Sequence, residues 1–125
     1  MGRPDIQHEP VLCQPLMSLV APRAGETVVD TTVGHGGHAL LLTEAIGEKG
    51  HLIAFDIDEN NLNRSRMRLE EARGTKNGPR LDFLRANFAE LEQHLDEHGI
   101  SQADIILAEL GVSTDQILDS SRGLS

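Results

Sequence analysis

Aromatic side chains are nearly absent from this 125-residue chain: it has no Trp or Tyr, and only Phe55, Phe83 and Phe88. A core must therefore be filled by Leu, Ile, Val and Ala, and an aromatic ring at the edge of a site is scarce enough to be informative. Cysteine is just as scarce. Cys13 stands alone, which excludes an internal disulfide and agrees with a reducing compartment. Beside Leu12 and Leu16 it reads as a packing residue, not a nucleophile. No run approaches the ~20 apolar residues that cross a bilayer, and Met1-Gly-Arg-Pro-Asp5 lacks the apolar stretch of a signal peptide. A cytoplasmic address with no membrane partner is expected. Positive charge is also short, since 11 Lys and Arg against 20 Asp and Glu give a formal net charge of -9 that opposes broad attraction to nucleic acid. Seven of those eleven basic residues nevertheless fall between Arg64 and Arg85 (Arg64, Arg66, Arg68, Arg73, Lys76, Arg80, Arg85). They read as a solvated helix face braced by pairs such as Arg66 with Glu70, with an RNA-facing patch as the alternative.

A chain of this length is one domain at most. Val11, Leu12, Leu16, Leu19 and Val20 fall at helical spacing and predict a helix over 11–20, which Pro15 bends or restarts. Pro22 to Gly25 is a turn, Thr27-Val-Val-Asp30 a short β-branched strand, and Gly34-His-Gly-Gly-His38 a break before a helix marked by Ala39, Leu40, Leu42, Ala45 and Ile46. His51 to Asp56 reads as a buried strand, and a charged helix follows from about Asp58, a plausible N-cap, to Arg73. Leu81 to Ala86 is a third strand, Phe88 to His98 a helix, and Asp104 to Glu109 a fourth strand. Strands alternating with helices imply βαβ units, a parallel sheet and right-handed crossovers. Residues 113–125 are either a site loop or a disordered tail.

In such a sheet, ligands bind beyond the carboxyl ends of the strands, so the residues just after each strand are the informative ones. After the first strand come Asp30 and the turn with Gly34, Gly36, Gly37 and His38, whose glycines permit a sharp turn and a ligand close to backbone N–H groups. After the second comes Asp56, twenty residues beyond Gly36 and suited to accept the hydroxyls of an adenosine ribose. Asn87 and Phe88 follow the third strand, where an adenine ring would lie, and Glu109, Leu110 and Gly111 follow the fourth. The competing structural readings are a turn that merely needs glycine, a cap role for Asp56, and a core role for Phe88. His8, His35 and His38 complete no familiar metal spacing, so no metal is expected. Gly34-His-Gly-Gly-His-Ala39 also satisfies the dinucleotide fingerprint, which leaves NAD and S-adenosylmethionine (SAM) both open on the pattern alone. Asp30 favours SAM: a carboxylate four residues before the first glycine repels pyrophosphate and welcomes a sulfonium or amino group. The helix ahead of the first strand also suits methyltransferases.

A resemblance then becomes specific. His8-Glu-Pro-Val-Leu12, Asp30-Thr-Thr-Val-Gly-His-Gly-Gly-His38, Ala54-Phe-Asp-Ile-Asp58, Asn87-Phe88, Leu110-Gly-Val-Ser113, Gln116 and Arg122-Gly123 occur in an order and spacing similar to the bacterial 16S rRNA (cytosine-N4) methyltransferases of the RsmH/MraW family. The resemblance covers nearly the whole chain. It implies a Rossmann-like SAM-dependent methyltransferase fold in the α/β class, of which residues 1–125 supply about four parallel strands, the N-terminal half of the domain. It implies SAM as cofactor, small-subunit rRNA or the 30S particle as partner, and Gly36, Gly37, His38, Asp56, Phe88 and Gln116 as cofactor-binding residues. The family has Asp where this chain has Glu109, and Phe where it has Leu124. The extra methylene moves the carboxylate by about 1.5 Å, and a misplacement of ~1 Å can cost on the order of a hundredfold in rate.

Methylating an exocyclic amine needs an acceptor for the amine hydrogens, because the cytosine N4 lone pair is delocalised into the ring. Glu109 and the Leu110-Gly111 backbone are the candidates for that work, and Glu109, like Asp30 and Gly34, is also a candidate cofactor contact. The resemblance further implies sheet strands and a helical substrate domain beyond those visible here. Weak or absent catalysis by this chain alone is therefore expected, with a truncated enzyme, a remnant completed by another chain, and a non-catalytic SAM-binding or regulatory module as competing explanations. The fourth strand would then present an apolar open edge that invites self-association.

Overall fold

The computed structural model describes residues 13–109, with side chains from Pro15 onward. His8, the Cys13 side chain, the Leu110-Gly111 backbone, Gln116 and the segment 113–125 lie outside the described residues. In chain order the elements are α1 (Cys13–Val20), β1 (Thr27–Asp30), α2 (Gly37–Ile46), β2 (His51–Asp56), α3 (Glu59–Arg73), β3 (Arg80–Arg85), a 3-10 turn (Phe88–Glu90), α4 (Leu91–Glu97) and β4 (Ile105–Leu107). Pro15 is the third residue of α1, in the first turn, where the N–H it lacks would have no helical partner. Asp58 caps α3 as its position implied, with extended backbone and a side chain that accepts from the Asn60 N–H at 2.9 Å.

All four strands are parallel, in the order β3-β2-β1-β4. The chain steps outward from β1 through β2 to β3, then returns to lay β4 on the far side of β1. Right-handed crossovers put the helices of one stepping direction on one face and those of the opposite direction on the other. The two core clusters follow that rule. Val28, Leu52, Ala54 and Leu107 pack with Ala39, Leu42 and Ile46 of α2, Leu62 and Leu69 of α3, and Leu16, Met17 and Val20 of α1. Val29, Ile53 and Phe55 point the other way and meet Leu91 and Leu95 of α4. Both faces of β1 and β2 are covered, which is why their interiors are apolar without alternation.

Two elements and one side-chain contact depart from their sequence reading. β4 is three residues long, not six. Asp104 is held at its start by a two-way exchange with Thr27 (Asp104 N to Thr27 O 2.9 Å, Thr27 N to Asp104 Oδ2 2.8 Å), and after Leu107 the chain leaves the ladder for the residues following β1. β4 lies at the edge of the sheet, and Ile106 on its uncovered face is 58% exposed. The helix expected over Phe88 to His98 begins as a 3-10 turn, because the Asn87 carboxamide accepts from the Ala89 N–H at 3.0 Å and sets a separate cap. Arg66 lies over the ring of Phe83, its guanidinium carbon 5.1 Å from the centroid, where Glu70 was the expected partner.

Gly36 fixes how closely α2 approaches α3. Its φ is +84°, and a Cβ there would sit 3.1 Å from Ser65 Cβ and 3.2 Å from Ser65 Cα. Ser65 is fully buried, small, and satisfied by its bond to the Leu62 carbonyl. Gly25 shares a left-handed φ of +85° but would meet nothing within 4 Å. Gly36→Ala should therefore lose roughly 2–3 kcal/mol in urea unfolding, against about 1 kcal/mol for Gly25→Ala, the difference being the displaced helix. Equal losses at the two glycines would contradict the close approach.

Candidate functional site

The carboxyl ends of β1, β2 and β4 are stitched together by the residues that follow β1. The Thr31 N–H and hydroxyl both donate to the Leu107 carbonyl, at 2.8 and 2.9 Å. The Thr32 hydroxyl accepts from the Glu109 N–H at 2.6 Å, which ties the segment after β4 to the turn. On the other side, the Val33 N–H donates to the Phe55 carbonyl at 2.9 Å and the Gly34 N–H to Asp56 Oδ2 at 3.0 Å. The strand order reverses between β1 and β4, so this is the end and the place where a doubly wound sheet opens a crevice.

Asp30 ends β1 and is 2% exposed. One carboxylate oxygen accepts from the Thr32 N–H at 3.1 Å. Burial outweighs that bond and, with a smaller push from the charge of Asp56, raises the Asp30 carboxyl from 3.8 to about 7. Asp56 ends β2, in register with Arg85 of β3. It accepts from the Asp58 N–H on Oδ1 (2.9 Å) and from the Gly34 N–H and, at 3.4 Å, Asn61 Nδ2 on Oδ2. Since an ionised carboxylate has about four acceptor positions, these bonds orient Asp56 and leave capacity for a ligand hydroxyl.

The sequence-predicted residues Asp30, Gly34, Gly36, Gly37, His38, Asp56, Phe88 and Glu109 all come to this end of the sheet. Their duties differ from one another. Gly36 serves the turn and the helix contact, while Gly37 opens α2 without any side-chain cap at the preceding position. The His38 side chain is 6% exposed, with Nδ1 against Glu109 Oε1. Phe88 is 53% exposed and so belongs to no core cluster. Asn87 is engaged as a cap. Ile57, between Asp56 and Asp58, is 62% exposed and escaped the sequence reading, because an Ile beside a strand ordinarily signals core. Thr31 and Thr32 escaped it too, since hydroxyl residues after a strand are common and only their partners single them out. His35 meets Arg64 at 3.4 Å on the rim, and Arg85 donates to the Ile57 carbonyl at 3.3 Å and pairs with Glu59 at 3.5 Å. The basic residues are thus partly occupied with local partners. No group of His, Cys, Asp and Glu able to hold a metal occurs among the described residues, and none of their helices is long and apolar enough to cross a membrane.

Comparison with known proteins places this geometry. Residues 5–125 match the MraW methylase family. The ribosomal RNA small subunit methyltransferase H of Koribacter versatilis is 38% identical across 99% of this chain and 39% of its own length, so the chain spans well under half of that relative. Among solved structures, TrmN from Thermus thermophilus is similar with a TM-score of 0.61 and 31% identity, covering 87% of this chain and 30% of that one. A SAM-dependent O-methyltransferase from Thermotoga maritima is similar in fold, with a TM-score of 0.57 and 17% identity over 67% of this chain and 32% of that one. The parallel order β3-β2-β1-β4, with helices on both faces, is a Rossmann-like arrangement. On the match of residues 5–125, the chain belongs to the MraW methylase family.

Proposed function

We propose that this chain binds S-adenosylmethionine at the carboxyl ends of β1, β2 and β4, as the cofactor half of an enzyme that methylates N4 of a cytidine in small-subunit rRNA. The observation that carries the reading is the acid at the floor of the crevice: Asp30 is buried there, and Asp56 is close enough to act on its charge. Such a floor repels a pyrophosphate and attracts a cation, which favours a sulfonium nucleoside over NAD. Family membership and the name of the Koribacter relative support the rRNA substrate.

In this reading Asp56 accepts a ribose hydroxyl, and the exposed Ile57 and Phe88, at the ends of neighbouring strands, flank the adenine. The start of α2 at Gly37, the positive end of the helix dipole, receives the carboxylate of the methionine moiety. SAM supplies the electrophilic methyl group. Glu109 has two roles: its carboxylate accepts from the amino group of bound SAM, and it accepts the hydrogens of the target amine, orienting N4 toward that methyl and stabilising the nitrogen as it becomes tetrahedral. Gln116 completes the cofactor contacts, by resemblance. We assign the open edge of β4, with Ile106, to pairing with a second copy when this chain is alone.

Calorimetric titration should give SAM binding and no NAD binding, with Asp56→Asn weakening SAM about tenfold or more, as expected from a lost charge-assisted bond. NAD binding without SAM binding would overturn the assignment. The raised carboxyl of Asp30 makes a second prediction. Because the folded state holds this proton up to about pH 7 while the unfolded chain releases it near 3.8, stability falls as pH rises between those values. Asp30→Asn should therefore be more stable than the parent at pH 8, by on the order of 4 kcal/mol, and no more stable at pH 4. It should also bind SAM less well; a variant equally stable at both pH values would contradict the burial of a costly charge. In sedimentation velocity the parent chain should self-associate and Ile106→Lys should not, whereas a monomeric parent would contradict pairing at β4.

A further inference from the structure

His38 and Glu109 were each expected to serve a ligand directly, yet their side chains meet each other. His38 stands in the first turn of α2, almost wholly buried, and its Nδ1 lies against Glu109 Oε1. Glu109, by contrast, has a half-exposed side chain on the segment after β4. A carboxylate can only accept, so the contact requires that Nδ1 carry the proton. The same glutamate is gripped through its main chain, since its N–H donates to the Thr32 hydroxyl. Glu109 is thus held at two points, one on the turn after β1 and one on α2. A free glutamate side chain loses rotamer entropy when it is fixed, so an acceptor ordered in advance is a better acceptor.

We propose that His38 is a positioning residue: its imidazole holds one oxygen of Glu109 so that the carboxylate stays at the mouth of the crevice, and does not itself touch the cofactor. The bond takes up the length of the glutamate, which would otherwise swing about a chain one methylene longer than an aspartate. It uses a single oxygen, and accepting from a ligand or target amine needs only the other. This inference rests on the proposed cofactor site for what Glu109 does there, but the pairing itself is independent of any ligand.

Nitrogen-15 NMR of the histidine rings in the ligand-free chain reads the pairing directly. His38 should be protonated at Nδ1 in the parent chain, and that tautomer should lose its dominance in Glu109→Ala; the same tautomer balance in both proteins would overturn the proposal. SAM affinities of the two single variants and the double variant then separate positioning from direct contact. His38→Ala should weaken SAM about tenfold in the parent and leave it unchanged in the Glu109→Ala background. His38→Asn, whose amide N–H stands where Nδ1–H stood, should restore most of the loss. If His38→Ala changes affinity by the same factor in both backgrounds, a factor of one included, His38 does not act through Glu109. If the parent chain binds no SAM, the cofactor assignment fails while the tautomer measurement still decides the pairing.

Discussion

The segment Thr31 to Gly34 is the constraint on which the site depends. It follows β1, which is bracketed by β2 and β4, and it bonds to the ends of both: to Leu107 and Glu109 on one side, to Phe55 and Asp56 on the other. Each bond satisfies a main-chain group that would otherwise be left without a partner near a buried edge. Together they convert three separate strand ends into one surface. The glycines then let the chain turn from that surface into α2 with Ser65 of α3 directly beneath it. Function at this end therefore rests on backbone geometry first and on side-chain identity second.

The electrostatics of the surface run against stability. A carboxylate at the end of β1 loses water and gains a single main-chain hydrogen bond, and a second carboxylate stands near it at the end of β2. A sequence under pressure for stability alone would place an amide or an apolar residue there. Retention of the acid makes sense if a positive group is expected to arrive, because the charge that is costly at this buried strand end attracts that group and is neutralised by it. The same logic separates a sulfonium nucleoside from a dinucleotide more sharply than the glycine pattern, which the two share.

Much of the fold was legible in the sequence where local signals and tertiary demands agreed. Thr27-Val-Val-Asp30 and His51 to Asp56 are strands with the expected bounds, since buried parallel strands leave short apolar runs with glycine on their flanks. Asp58 announced itself as a cap by its distance past the strand. The apolar run at 104–109 misled, because the length of β4 is set by partners distant in sequence, Thr27 at its start and Thr31 and Thr32 at its end. Arg66 misled for the same reason: Glu70 is the helical neighbour, but the ring of Phe83 on β3 lies closer to where the guanidinium points. Within the candidate site, strand-end position pointed to the acids and Phe88, which the structure brings to the same end of the sheet. Strand-end position gave neither Ile57, whose exposure is its only mark, nor the engagement of His38 with Glu109.

The central claim is that Asp56, Ile57, Phe88 and the turn at Gly34 to Gly37 face one cleft that takes a sulfonium nucleoside. Intermolecular nuclear Overhauser effects between SAM and the isotope-labelled chain test it most directly. The account predicts contacts from the adenine protons to the Phe88 ring and the Ile57 methyls, with amide shifts at Gly34 and Gly37. Contacts confined to the outer face of α4, or shifts that leave the carboxyl ends of β1 and β2 untouched, would contradict it.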